Sequence, residues 1–382
     1  MVELVNSRAF RTAEPTRWLV PPLVINGRFL TQPVTGVQRV ARALLEQLDQ
    51  FAAEGRLAPP RVVVPANAQL IDTPALRALK IERIGALGGH AWEQLSLPLI
   101  AGPDMLLCLG NTAPVGRLKR GAYPTSVMVH DLSYRYFPEA YGFKFKFFYN
   151  AVIPVALRKS THLITVSDAE KTAIETSYPH TRRHPSFHAI QNGGAVETVA
   201  LHAPRAPLGI YVGSLSRRKN AHGVLRVATT LLRANPDARF VIIGGTAASL
   251  SSLDLHVPQD VADRLELRGQ INDPAQINAA YQRARFLLFP SYYEASPLPP
   301  IEAMQHGCPV ICSDIPSLRE RCGDAALYRA PDDHDGLVAD AQKLLTDDPF
   351  WTRRAARSRA YARRFTWRAQ AQQLLSILEA PQ

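Results

Sequence analysis

Residues 284–314 read ARFLLFPSYYEASPLPPIEAMQHGCPVICSD. Two apolar runs, ARFLLFPS and PVICSD, flank a polar loop and a short helical pattern. Neither run alternates apolar with polar residues, so each is expected to be a strand covered on both faces, as in a parallel sheet sandwiched by helices. Pro299 and Pro300 suit the first turn of the intervening helix, where a missing N–H is tolerated, and Gly307 suits its end. Strand, loop, helix and strand in that order make a parallel βαβ unit. The loop and helix carry two acids, Glu294 and Glu302, separated by seven residues of which three are proline.

The same design extends in both directions. Upstream, 207–214, 238–245 and 263–271 read as strands, with helices over 221–235 and 273–284. Before them runs another series, with strands at 22–27, 60–66, 104–111, 125–131, 161–168 and 188–194. A helix starting at Gly36 places Val37, Val40, Ala41, Leu44, Leu45 and Leu48 on one face. The Ala- and Pro-containing stretch 196–206 separates the two series and is expected to be a linker. The fold class expected is α/β, with two doubly wound Rossmann-like domains facing across a cleft. Their bounds are expected at 1–200 and 207–382, with the terminal helices free to pack back on the first domain. A length of 382 residues fits two domains.

Composition narrows the function. Hydrophobic residues make up 46% and charged residues 20%, which marks a globular rather than a disordered chain. A net charge of +11 points to an anionic partner: nucleic acid, an acidic membrane surface or a phosphorylated small molecule. Four irregularly spaced cysteines, Cys108, Cys308, Cys312 and Cys322, do not make a disulfide framework and suit a reducing cytosol. His306, Cys308 and Cys312 lie close in sequence, but the two thiols bracket an expected buried strand rather than forming a paired CxxC site, so no metal is expected. No leader sequence is apparent, and the longest apolar runs are too short to span a bilayer.

In doubly wound folds the loops at strand carboxyl ends build the site. Those loops hold Gly36, His130, Asp131, Ser167, Asn192, Gly213, Lys219, Gly244 and Glu294. The helix behind Glu294 would turn its N-terminus, with free N–H groups and positive dipole end, toward the cleft as an anion site. Arg217, Arg218 and Lys219 bring three cations to a second strand–helix turn. Carboxylates accept strong hydrogen bonds from sugar hydroxyls. Two acids flanking a phosphate site, faced by cations, therefore suit a nucleotide sugar. Read singly, His130 could be a capped, buried histidine, Glu302 a first-turn helix acid, and Ser167 is better read as a helix cap than as a ligand contact.

The segments YEASPLPPIEAM, preceded by FPS, and GSLSRRKN resemble the paired-glutamate and basic-loop motifs of the retaining family 4 glycosyltransferases. NGRFLTQPVTGVQRVARALL, VMVHDLSYRYFPE, LITVSDAEK and IQNGG resemble the signposts of that family's N-terminal half, so the resemblance spans nearly the whole chain. It implies the GT-B fold and transfer of a hexosyl or deoxyhexosyl unit from a nucleotide sugar to a saccharide or lipid-linked saccharide, in cell-surface polysaccharide synthesis. By the same resemblance Glu294 would bind the transferred sugar and Glu302 the ribose. Arg218 and Lys219 would neutralise the leaving diphosphate, His130 would lie near sugar and acceptor, and Gly36 would approach the phosphates. Gly213, Ser214, Ile271 (at the nucleobase), Ser296 and Leu298 complete the expected donor contacts. Two departures stand out: Ser214 occupies a position where the family commonly has arginine, and Ala295-Ser296-Pro297 replaces a glycine-rich loop.

The reaction implied keeps the anomeric configuration and needs no metal or other cofactor, with the leaving phosphate taking the acceptor's proton. A nucleotide-sugar epimerase of the same architecture is the rival reading. A nucleic-acid-binding protein is disfavoured because the basic residues are dispersed and carry no aromatic-interleaved motif. Residues 141–160 combine Phe143, Phe145, Phe147, Phe148 and Tyr149 with Lys144, Lys146, Arg158 and Lys159. An anionic membrane surface is thus a further candidate partner, with the protein held at the cytoplasmic face of the plasma membrane. The alternative is that these aromatics face the domain core.

Overall fold

The structure, a computed structural model, describes residues 17–194, 205–245 and 255–379. The first sheet holds β1 (Leu23–Asn26), β2 (Arg61–Val64), β3 (Ile81–Arg83), β4 (Met105–Cys108), β5 (Thr125–Met128), β6 (His162–Thr165) and β7 (Phe187–Ala189). The second holds β8 (Leu208–Val212), β9 (Arg239–Ile243), β10 (Leu265–Leu267), β11 (Phe286–Phe289), β12 (Val310–Ser313) and β13 (Leu327–Arg329). Their orders are β3-β2-β1-β4-β5-β6-β7 and β10-β9-β8-β11-β12-β13. Every pairing is parallel.

Both faces of each sheet are buried, which is why the strands read as continuous apolar runs. Leu23 and Ile25 of β1 and Met105 and Leu107 of β4 join one core layer, while Val24, Leu106 and Cys108 join the layer on the opposite face. In the second sheet Phe286 and Leu288 face one layer and Leu287 and Phe289 the other. This period of two comes from the pleat. The short strands β3 and β13 were not among those expected. Residues 196–204 of the linker expected at 196–206 lie outside the described residues. The helix Trp367–Glu379 packs on the helix Gly36–Ala53, placing Ala371, Leu374, Leu375 and Leu378 in the first domain's core.

Strand order reverses direction between β1 and β4 and between β8 and β11. At such a point the two flanking strands send their connections to opposite faces, leaving a crevice beyond the strand ends. Gly36 follows β1, the Gly213–Lys219 loop follows β8, and Glu294 follows β11.

Candidate functional site

The centre of the site is a carboxylate held by two cations. The Glu294 side chain is only 8% exposed, its Oε1 lies 2.7 Å from Lys219 Nζ and its Oε2 3.4 Å from Arg218 Nη1. Burial pushes the Glu294 carboxyl up, but Lys219 and then Arg218 outweigh it and hold the group below the usual carboxylate range. Lys219 Nζ also lies 5.0 Å above the ring of Phe289, the last residue of β11.

The backbone explains why these loops meet. The Tyr292 N–H donates to the Arg218 carbonyl (2.9 Å), and Arg218 Nη1 donates to the Tyr293 carbonyl (2.9 Å). Asn220 closes the basic loop in the left-handed region at φ 54°, and its side chain caps the helix Ala221–Ala234 by accepting from the Gly223 N–H (3.0 Å). Gly244 permits a close approach, since a Cβ there would lie 1.8 Å from the Gly213 carbonyl oxygen. Gly213 borders the Lys219 side chain, and Ser214 is exposed with its carbonyl accepting from Tyr211 Oη (2.9 Å).

The second acid is differently placed. Glu302, in the helix Leu298–Gln305, pairs through Oε1 with Arg39 and accepts from Tyr281 Oη at 3.2 Å. Arg39 lies one turn into the helix opened by Gly36, so this pair bridges the two domains. In this structure the Glu302 carboxylate is engaged on both oxygens, so a hydroxyl binding there would have to displace one of these partners. The first turn of the same helix offers few N–H groups. Pro297 is the N-cap and Pro299 and Pro300 follow, so only Leu298 and Ile301 carry N–H groups in the first turn.

Gly36 faces open space, with nothing within 4 Å of an added Cβ. The His130 ring is buried, and its Nε2 donates to the Leu109 carbonyl at 2.8 Å, which leaves Nδ1 as the acceptor. Burial pushes its pKa down, which favours the neutral ring. Asp131, beside it, accepts from the Ser133 N–H (3.0 Å) and Oγ (2.6 Å) and contributes to the field at Arg218 and Lys219. Ile271 packs at the edge of the second domain's core. Ser296 and Leu298 instead face the first domain. Ser296 Oγ donates to Gln191 Oε1 (2.9 Å), its carbonyl accepts from Asn192 Nδ2 (2.9 Å), and Leu298 joins the first domain's core. Ser167 serves as a cap, accepting from the Glu170 N–H (3.0 Å), and also reaches across to donate to the Ala295 carbonyl (2.7 Å).

Several residues of this junction carried no separate signal in the sequence. Arg321 is fully buried and donates to the carbonyls of Pro297 (3.2 Å), Asn192 and Gly193 (3.1 Å). Glu320 accepts from the N–H groups of Asp168 (2.9 Å) and Ala169 (2.8 Å), capping a helix of the other domain. Glu170 is buried, and burial together with Asp131 pushes its carboxyl up to about 8. His306 stacks on Tyr281, while Cys308 and Cys312 are fully buried.

Chemically, this arrangement concentrates positive charge beside a buried carboxylate in the loops that follow β8 and β11. It can hold a hydroxylated ligand on the acid and stabilise negative charge appearing beside the cations.

Residues 199–365 match the family model described as Glycosyl transferases group 1. O-antigen chain mannosyltransferase B of Escherichia coli is 32% identical over 163 residues, covering 41% of this chain and 42% of that protein. O-antigen chain mannosyltransferase RfbU of Salmonella typhimurium is 25% identical over 245 residues, covering 63% of this chain and 65% of that protein. The chain thus spans between about two fifths and two thirds of these relatives' length. Among solved structures, WaaG, a glycosyltransferase involved in lipopolysaccharide biosynthesis, superposes with a TM-score of 0.68 at 18% identity, over 94% of this chain and all of that one. The chain has the GT-B fold, and the part of it that carries Lys219, Glu294 and Glu302 matches the group 1 glycosyl transferases.

Proposed function

We propose that this protein is a retaining glycosyltransferase that moves a hexosyl or deoxyhexosyl unit from a nucleotide sugar to a saccharide or lipid-linked saccharide acceptor in cell-surface polysaccharide synthesis. The observation that carries this reading is the Arg218–Glu294–Lys219 cluster at the ends of β8 and β11, inside the segment that matches the family model. The O-antigen mannosyltransferases among its relatives support mannose as a first donor sugar to try.

In this reading Glu294 accepts hydrogen bonds from the sugar, and Lys219 and Arg218 turn toward the diphosphate as its charge grows. Charge stabilisation of this kind acts on the transition state more than on the bound donor. Ribose binding at Glu302 displaces Arg39. Neutral His130 sits on the acceptor side of the cleft. The departing phosphate takes the acceptor's proton, and no metal takes part.

An anionic membrane surface completes the proposal. The helix Phe143–Lys159 turns Phe143 (79% exposed) and Phe147 (70% exposed) outward as a stacked pair 6.3 Å apart, while Val152, Ile153, Ala156 and Leu157 are buried. Phe145 and Tyr149 stack on each other at 3.9 Å, and Phe148 meets His90, so the aromatics divide between surface and domain. Residues 141–160 contain no acid. No helix among the described residues is long and apolar enough to cross a membrane. The protein would work from the cytoplasmic face.

The test is a thermal-shift panel of UDP, GDP and their hexose conjugates, followed by nucleotide release with and without a saccharide acceptor. A binder of the native state raises the melting temperature. Acceptor-dependent release of UDP or GDP is expected. Conversion of the nucleotide sugar to an isomer without any acceptor would make the protein an epimerase and refute the transferase reading.

A further inference from the structure

Tyr293 immediately precedes Glu294, yet its side chain leaves the second domain. Its ring lies against Tyr136 (centroids 5.2 Å apart) and Phe137 (6.1 Å), both from the first domain. Its hydroxyl donates to Glu170 Oε2 at 2.7 Å, across 123 residues of sequence. Glu170 uses its other oxygen to accept from the Leu132 N–H at 3.0 Å, two residues after His130. On the opposite side, the Tyr293 carbonyl accepts from Arg218. One buried carboxyl group therefore binds the loop of the acid and cations on one domain to the His130–Asp131 loop on the other.

We propose that Tyr293 is a positioning residue for Glu294 and Arg218, and that Glu170 is its socket in the first domain. A tyrosine suits this task because its ring fills the aromatic slot while its hydroxyl fixes how deeply it enters. Glu294 itself has no hydrogen bond to the first domain among those of the described residues; residues on both sides of it carry the link, Ala295 and Ser296 toward Ser167, Gln191 and Asn192, and Tyr293 toward the His130–Asp131 loop through Glu170. In this proposal the link acts on the geometry of the loop rather than on the donor. The inference rests on the transferase reading for its kinetic consequence but not for its structural one.

Tyr293→Phe removes only the hydroxyl, and Glu170→Ala removes the socket. In hydrogen–deuterium exchange on the full-length protein, both variants should exchange severalfold faster over residues 286–297 and 128–134, with β8 and β9 unchanged. Unchanged exchange in both loops would overturn the proposal. With UDP- and GDP-hexoses, kcat should fall about 10- to 100-fold, the scale expected when reacting groups are displaced by about an ångström. The donor KM should stay within about threefold, since no donor contact is removed. The double variant should be no slower than the slower single variant, because Glu170→Ala already removes the bond that Tyr293→Phe breaks. A raised KM with kcat intact, or fully additive effects, would also overturn the proposal. If the parent protein turns over none of these donors, the exchange measurement alone decides the positioning role.

Discussion

Lys219→Met removes the closest cation from Glu294 while keeping a side chain of similar length. In the parent, Glu294 sees Lys219 Nζ at 2.7 Å and Arg218 Nη1 at 3.4 Å, with the acid 8% and the lysine 12% exposed. Removing one partner of a buried ion pair costs about 3–5 kcal/mol because the other charge is left without water or counter-charge. Arg218 remains as a partner, so a loss somewhat below that range, about 2–3 kcal/mol, is expected at pH 7. The pH dependence gives a sharper test. The folded pKa of Glu294 is depressed in the parent, so its contribution is fully present above the unfolded carboxyl value and disappears only as pH falls through the folded one. In the variant the chief opposing charge is gone and burial becomes dominant, which raises the folded pKa above the unfolded value. Protonation then relieves the penalty, and the variant gains stability on acidification while the parent does not. Urea denaturation should therefore show a gap at pH 7 that narrows at pH 5. Calorimetry on the same variant should show a larger loss of affinity for UDP or GDP than for uridine or guanosine. A gap that is absent, or constant between the two pH values, would refute the electrostatic account of the cluster, and equal losses for nucleoside and diphosphate would move the diphosphate elsewhere.

Glu294→Gln keeps the volume and removes the charge, so transfer should fall by about 10²-fold or more while far-UV circular dichroism is unchanged; near-normal transfer would reduce Glu294 to a structural acid. Arg321→Met strips the donors from the carbonyls of Pro297, Asn192 and Gly193. Buried acceptors left unpaired cost about 1–3 kcal/mol each, so a clear drop in the urea midpoint is expected, and an unchanged midpoint would show that water replaces the guanidinium. Lys144→Glu with Lys146→Glu should cut co-sedimentation with phosphatidylserine-containing vesicles, since each basic residue near such a surface contributes about 1 kcal/mol; unchanged sedimentation, or none in the parent, would place the +11 charge in another role.

The two-sheet architecture and the cluster of Glu294 with Lys219 and Arg218 were legible in the sequence because both depend on local pattern. Strands buried on both faces write themselves as apolar runs, and a parallel sheet brings the loops after neighbouring strands together. The loops after β8 and β11 are neighbours for that reason, so a basic turn and an acidic turn could be read as one site before any distance was known. What the tertiary structure alone decided is how the two halves meet. Arg39 reaches Glu302 across 263 residues, Tyr293 reaches Glu170 across 123, and Arg321 threads its guanidinium between the crossing segment and the Glu294 loop. Each of these side chains, read in its own segment, is an ordinary helix or loop residue. Their roles arise from how the loops and helices of the two halves meet. Local periodicity specifies which face of an element is buried, but not which distant polar group will lie opposite a particular side chain once that face is covered.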